Sequence, residues 1–311
     1  MPRYGLPYKT IVAAKLDMEQ LWRNWSVPFV VPRALLESRQ ILREFRPDVL
    51  LGTGGYVSAP LVVAAAARRV PVVLQEQNYL PGRTTRLLSR FARVIATGYE
   101  ESSKYLHGKC VVTGTPVRTE FASRRQDFPA RPRRLLILGG SQGAHRINEA
   151  LSAALPELLG RLQLEVWHQT GERDLPQMME IKRQLGGAAA GYQPFAFADD
   201  LAGKIYAADV VLSRAGASAL SEVSAVGVPM VLVPGPFAGG HQRLNAQPFE
   251  RAGAAVLIPN EECDGPRIVK ELSEIVENSA RYSKMVDAMR ALGRPHAADD
   301  VVGLLQSVAK H

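Results

Sequence analysis

The chain has 311 residues, 46% of them apolar, with scattered glycine and proline and no low-complexity segment; it is long enough for two folded domains of ordinary size. Its two cysteines, Cys110 and Cys263, lie far apart without metal-ligand spacing, which excludes a disulfide framework and fits a reducing compartment. The net charge of +8 is uneven: residues 1–125 hold 19 Lys+Arg against 9 Asp+Glu, and the remainder 19 against 21, so the front half suits an anionic partner.

A membrane surface or a pyrophosphate-bearing substrate would meet that charge. Nucleic acid is not expected, because no helix-turn-helix, zinc-finger or RNP pattern accompanies it. The longest clearly apolar run, 59–67, is about half of the ~18 residues a spanning helix needs. The N-terminus does not make a secretory signal.

Residues 8–14 read as a short strand. The following stretch carries Trp22, Trp25 and Phe29 among Lys15 and Arg23; amphipathic rings beside cations suit headgroup depth at a membrane, with core or interdomain packing as the competing reading. Residues 35–45 read as a helix ended by Arg46-Pro47. A buried strand at 48–51 then runs into Gly52-Thr53-Gly54-Gly55-Tyr56 and a helix over 61–69, a strand, Gly-rich turn and helix able to hold a phosphate.

The next strand, 70–74, leads into Gln75-Glu76-Gln77-Asn78. A polar cluster past a strand end is placed to hydrogen-bond a sugar; a turn stabilised by Asn78 is the other reading. A basic helix at 83–91 and strands at 94–96 and 110–113 precede Gly114-Thr115-Pro116-Val117-Arg118. The stretch QDFPARPRR, 126–134, has the composition of a linker. This divides the chain into a domain at 1–125, a linker at 126–134, a domain at 135–295 and a C-terminal helix at 296–311 that packs back on the first domain.

Beyond the linker, a strand at 135–138 meets Gly139-Gly140-Ser141-Gln142-Gly143-Ala144 and a helix to residue 154. Alternating strands and helices follow, with His168 and Thr170 at one strand end. The strand closing at Leu212 gives way to S-R-A-G-A-S and a helix carrying Glu222 near its start. Its free N–H groups and positive dipole end suit a diphosphate, with Ala217, Ser218 and Ala219 letting a ligand approach the backbone. Glu222 is where a carboxylate accepts from a ribose diol, although a plain strand-to-helix turn competes with that reading. A strand at 230–233 then runs into a Gly/Pro loop with His241, Gln242 and Asn245, the usual ligand position beyond a strand's carboxyl end. Repeated strand-then-helix units favour a parallel sheet in each half.

The order S-R-A-G-A-S, Glu222, strand, H-Q-x-x-N-A resembles the nucleotide-sugar signature of GT-B glycosyltransferases, and more narrowly the MurG family. GTGGYVSAP, E-Q-N-x-x-P-G, G-x-P-V-R and G-G-S-Q-G-A also match, so the resemblance covers nearly the whole chain. Gln75 stands where the family usually has histidine. The resemblance implies an α/β, GT-B fold of two Rossmann-like doubly wound domains. It also implies inverting transfer of N-acetylglucosamine from UDP-GlcNAc to undecaprenyl-pyrophosphoryl-muramoyl-pentapeptide (lipid I), giving lipid II for peptidoglycan, by a peripheral protein at the cytoplasmic face of the cell membrane. On that reading Arg118, Ser141, Gln142, Gly143, Ala217, Ser218, Ala219, Glu222, His241, Gln242 and Asn245 meet the donor. Gly52, Gly54, Gly55, Tyr56, Glu76, Gln77 and Asn78 meet the acceptor.

No cofactor is implied, and no metal, since no Asp-x-Asp pair appears beside the diphosphate turn. The family's first loop, G-G-T-G-G-H, whose histidine is suspected in acceptor activation, does not occur in the sequence. The N-terminal domain is therefore expected to be incomplete, and no catalytic base is assigned. A UDP-hexose-dependent diacylglycerol glycosyltransferase and a truncated, non-catalytic UDP-sugar-binding form are the alternatives. A Rossmann dehydrogenase is disfavoured, because no G-x-G-x-x-G with a ribose-binding acid about 20 residues on can be placed.

Overall fold

The computed structural model describes residues 5–14, 22, 25, 27–139, 144–236 and 240–309. They fall into two compact units: one runs to Thr115 and resumes at Ala297, and the other is Pro116–His296.

In the first unit α1 (Val27–Phe45) precedes β1 (Leu50–Gly52), α2 (Ala59–Ala67), β2 (Val72–Glu76), α3 (Arg83–Leu88), β3 (Val94–Thr97) and β4 (Cys110–Val112). The four strands pair in parallel in the order β1-β2-β3-β4. Every residue of β2 and β3 is buried, as parallel strands covered on both faces require. Leu42 of α1 and Val62, Ala64 and Ala65 of α2 close over Val72, Leu74 and Ile95 to make this unit's core.

Residues 8–14 do not form a strand. They follow α1 through side chains instead, the Val12 amide donating to Glu37 Oε2 at 2.9 Å and Lys9 pairing with Glu44. The helix expected at 35–45 begins earlier, at Val27, and runs through Pro32.

The second unit contains β5 (Arg134–Leu138), α4 (His145–Leu159), β6 (Glu165–Gln169), α5 (Leu175–Leu185), β7 (Tyr192–Phe195), α6 (Leu201–Ala207), β8 (Val210–Ser213), α7 (Ala217–Val226), β9 (Met230–Leu232), α8 (His241–Arg251), β10 (Ala255–Leu257), α9 (Gly265–Val276) and α10 (Ser279–Leu292). Its six parallel strands lie in the order β10-β9-β8-β5-β6-β7, the doubly wound arrangement. The chain leaves β5 toward one edge, and β8 then returns to pair on β5's other side, Leu135 to Val210 through Leu138 to Ser213. The last helix, α11 (Ala297–Val308), belongs to the first unit and lies against β3.

The boundary at Thr115 falls ahead of the one expected at 125, and 126–134 is not a free linker. Asp209, at the entry to β8, is the reason. Its buried carboxylate accepts from the Arg133 and Arg134 amides at 2.7 and 2.9 Å and from Arg125 Nη2 at 3.0 Å. Arg125 Nη1 also donates to the Ala208 carbonyl at 2.5 Å. Phe128 packs on the core beside Tyr282, with the Arg125 and Arg290 guanidiniums over its ring. The arginines that look like solvated linker residues are anchors.

Removing the cation from a buried pair strands the carboxylate, and the two backbone amides compensate only in part. Arg125→Met is therefore expected to lower the unfolding free energy by about 3 kcal/mol in urea titration. A loss below about 0.5 kcal/mol, the range of surface changes, would return 126–134 to the status of a linker.

Candidate functional site

In open α/β sheets ligands bind outside the carboxyl ends of the strands where the strand order reverses. In the second unit that point lies between β5 and β8. β5 leads into residues 139–144, of which Ser141, Gln142 and Gly143 lie outside the described residues. β8 leads through Arg214-Ala215-Gly216 into α7. Gly216 is extended (φ −70°, ψ 138°) and no side chain caps the helix. The first-turn amides of Ala217, Ser218 and Ala219 are thus left to a ligand or water, and the dipole there favours an anion. Ser218 is exposed, while Ala217 is buried.

Glu222 is the sixth residue of α7, one turn deeper than the helix start. Its half-buried carboxylate faces Arg118 Nε at 3.9 Å. Burial pushes the Glu222 carboxyl above the usual range; Arg118 opposes the rise and Glu120 adds to it. Arg118 is held by Glu120 at 3.2 Å and stacks over Phe121 at 4.8 Å. An acid able to accept from a diol and a cation able to meet phosphate thus share one corner of this unit.

Arg214, in the middle of S-R-A-G-A-S, was not singled out by sequence reasoning. Its guanidinium donates to the Val233 carbonyl at 3.1 Å and to Asn260 Oδ1 at 2.6 Å, tying the ends of β8, β9 and β10 together. Burial lowers its pKa. An arginine inside a ligand-facing motif reads as a ligand contact, and only the fold reveals the brace.

The loop after β9 reaches α8 through Gly240, whose φ of +81° is a conformation glycine adopts freely. Gln242 Oε1 accepts from the Gly235 amide at 2.8 Å, so this side chain shapes its own loop. Asn245, expected on the sugar side, is only 1% exposed and lies on the packed face of α8 with Ala246 and Phe249. His241 is half-buried at the helix start.

In the first unit, Gly54 and Gly55 turn the chain with φ of +85° and +77° after β1. A side chain at Gly52 would press on Leu74 Cδ2 at 2.8 Å. The turn feeds Tyr56, which is exposed, and then α2. An apolar hollow of about 660 Å³ opens beside Thr53, Gly54 and Ser58, walled by Ile11, Ile41, Phe45, Val57 and Leu61.

Glu76, expected to reach a sugar, is instead buried. Oε1 accepts from the Asn78 amide and side chain at 3.0 and 3.1 Å, and Oε2 from the Gly82 amide at 3.1 Å. A carboxylate past a strand end has found the nearest unpaired backbone donors, and it shapes the loop that carries Gln77. Trp22, Trp25 and Phe29 are 73%, 76% and 74% exposed.

Models of glycosyltransferase family 28 match both parts of the chain, the N-terminal domain over residues 1–97 and the C-terminal domain over 134–301. The chain is 39% identical over 320 residues to the UDP-N-acetylglucosamine–N-acetylmuramyl-(pentapeptide) pyrophosphoryl-undecaprenol N-acetylglucosamine transferase of Moorella thermoacetica, covering 98% of this chain and 86% of that one. The transferase of the same name from Alkalilimnicola ehrlichii is 39% identical over 326 residues, covering 99% and 89%. The crystal structure of Acinetobacter baumannii MurG superposes with a TM-score of 0.76 at 29% identity, covering 96% of this chain and 84% of that one. The chain belongs to the MurG family. It is therefore a glycosyltransferase, and the MurG resemblance carried by the glycine-rich strings extends to the whole polypeptide. The UDP-GlcNAc 2-epimerase of Neisseria meningitidis, at 17% identity and a TM-score of 0.61, shares the fold with this MurG relative.

The corner of Arg118 and Glu222 is open to a direct test. Replacing Arg118 with alanine takes away the charge that opposes the rise of the Glu222 carboxyl, so its pKa should climb further. Carboxyl-carbon NMR titration of the parent and Arg118→Ala measures this. An unchanged or lowered value would mean that the two side chains do not sense each other.

Proposed function

We propose that this chain transfers N-acetylglucosamine from UDP-GlcNAc to undecaprenyl-pyrophosphoryl-muramoyl-pentapeptide, forming lipid II for the cell wall. One observation carries the reading: at the strand-order reversal of the second unit, an uncapped helix start stands beside a half-buried acid and an arginine. That is the equipment a uridine diphospho-sugar needs. The Ala217–Ala219 amides and Arg118 take the diphosphate, Glu222 the ribose diol, and His241, at the start of α8, the sugar. Ser141, Gln142 and Gly143 are further donor-binding residues of this reading, and the start of α4 adds its amides on the other side of the strand-order reversal. Gln242 holds Gly235 from within, and Asn245 is packed inside α8.

In the reaction the acceptor's sugar hydroxyl attacks the anomeric carbon from the face opposite the diphosphate. The new C–O bond forms as the bond to the β-phosphate oxygen breaks, the hydroxyl proton is released, and the configuration inverts. Negative charge grows on the departing UDP, and helix amides and Arg118 aimed at it lower the barrier because they are already oriented. In the first unit the Gly52–Tyr56 turn takes the acceptor pyrophosphate, with Gln77 offered to its sugar.

No described helix is long and apolar enough to cross a bilayer. Trp22, Trp25 and Phe29, exposed in a basic part of the chain, support attachment to the anionic inner leaflet.

Calorimetric titration with UDP-GlcNAc, UDP-glucose and UDP-galactose, followed by turnover on a lipid I analogue, tests this reading. UDP-GlcNAc should bind best. Glu222→Ala should weaken it about tenfold, ~1.4 kcal/mol, without raising the acceptor KM. Preference for a hexose donor would move the chain to the diacylglycerol glycosyltransferases, and binding without turnover would make it a sugar-nucleotide-binding protein.

A further inference from the structure

The helix α4 follows β5, on the other side of the strand-order reversal from α7, and its N-cap Ala144 offers no side-chain acceptor. What fixes the helix start is a buried polar chain reaching across to β6 and β7. Asn148, in the second turn, donates through Nδ2 to the Thr170 carbonyl at 3.1 Å and to Asp174 Oδ2 at 2.7 Å. Its Oδ1 faces His168 Nε2 at 2.9 Å, and His168 Nδ1 faces the Tyr192 hydroxyl at 2.9 Å. Asp174 Oδ2 also receives His145 Nδ1, from the first residue of α4, at 3.1 Å. Asn148, His168, Asp174 and Tyr192 are between 0% and 6% exposed.

The direction of every proton follows from the ends of the chain. A carbonyl and a carboxylate only accept, so the Asn148 amide nitrogen must point to Thr170 and Asp174, and its oxygen to His168. His168 therefore carries its proton on Nε2 and accepts from the Tyr192 hydroxyl on Nδ1. A neutral imidazole is what this order needs. Burial supplies it, holding the His168 pKa down to about 3. Each donor meets an acceptor, and the set leaves α4 no slack to rotate or slide on β6.

We propose that Asp174, Asn148 and His168 are positioning residues for the donor diphosphate: anchored in β6, β7 and the start of α5, they fix the orientation of α4 and thereby of the amides that open it. This rests on the donor reading given above. Backbone amides bind an anion well only when their direction is set before it arrives, so an anchor loosened one shell away lowers affinity for the charged part of the ligand. The part of the ligand without phosphate should not notice.

UDP and uridine separate the two. Asp174→Ala removes the single oxygen, Oδ2, that accepts from both Asn148 Nδ2 and His145 Nδ1. Affinity for UDP, by calorimetry, should fall about tenfold, as for other outer-shell supports, while uridine, followed by ligand-observed NMR, stays within about twofold. In turnover the donor KM should rise with kcat at saturating donor nearly unchanged.

Tyr282→Phe, which removes a buried hydrogen bond to the Asp209 carbonyl in the same unit, is the control. It should lower Tm comparably and leave UDP affinity as it was. If Asp174→Ala does not fold, Asn148→Ser decides in the same assays. Equal losses for UDP and uridine, or no loss with a lowered Tm, would reduce the chain of residues to a packing feature. Failure of the parent protein to bind UDP would instead remove the donor reading itself.

Discussion

The pairing of β5 with β8 is the constraint from which the second unit's chemistry follows. Strands added in sequence to one edge would leave consecutive loops side by side over covered ground. Because β8 returns to the free side of β5, the helices that follow these two strands start on either side of the point where the strand order reverses. Asp209 makes the return possible. It enters β8 while its carboxylate holds the backbone entering β5, and the cost of burying that charge is offset by Arg125 and two amides. The crevice at one end of the strands therefore depends on a charge cluster at the other.

The two units manage buried polarity differently at their strand ends. In the second, Asn148, His168 and Tyr192 form a matched series with no donor left over. In the first, the Glu76 carboxylate is matched by Asn78 and Gly82, but its neighbour Gln75 is buried with its amide nitrogen unpaired. The position at which the sequence departs from the usual MurG string is thus also one where a buried donor goes without an acceptor, a cost of about 1–3 kcal/mol.

Much of the architecture was readable beforehand, because β2, β3, β5 and β8 are buried on both faces and are largely continuous apolar runs between glycine-rich turns. The strings around Gly54, Gly216 and Gly240 mark places where backbone must turn sharply or face a ligand, and glycine and small residues advertise that locally. What escaped notice was long-range. Nothing near Arg125 or Phe128 announces Asp209 or Tyr282, so a segment rich in proline and arginine looked solvated. Residues 8–14 have a strand's composition but no partner, and composition does not report partners. Glu76 and Asn245 are polar residues beside ligand loops; whether such a side chain faces the ligand or its own backbone is decided by donors a few residues away.

The matched series behind α4 also constrains inheritance. Tyr192, His168, Asn148 and Asp174 each satisfy a neighbour in the series, so exchanging an end residue for one of different polarity strands one other, and exchanging His168 or Asn148 strands two at once. In a drifting lineage such residues form a single epistatic block, and a lone replacement within it marks a descendant whose helix mooring has been rebuilt by other means.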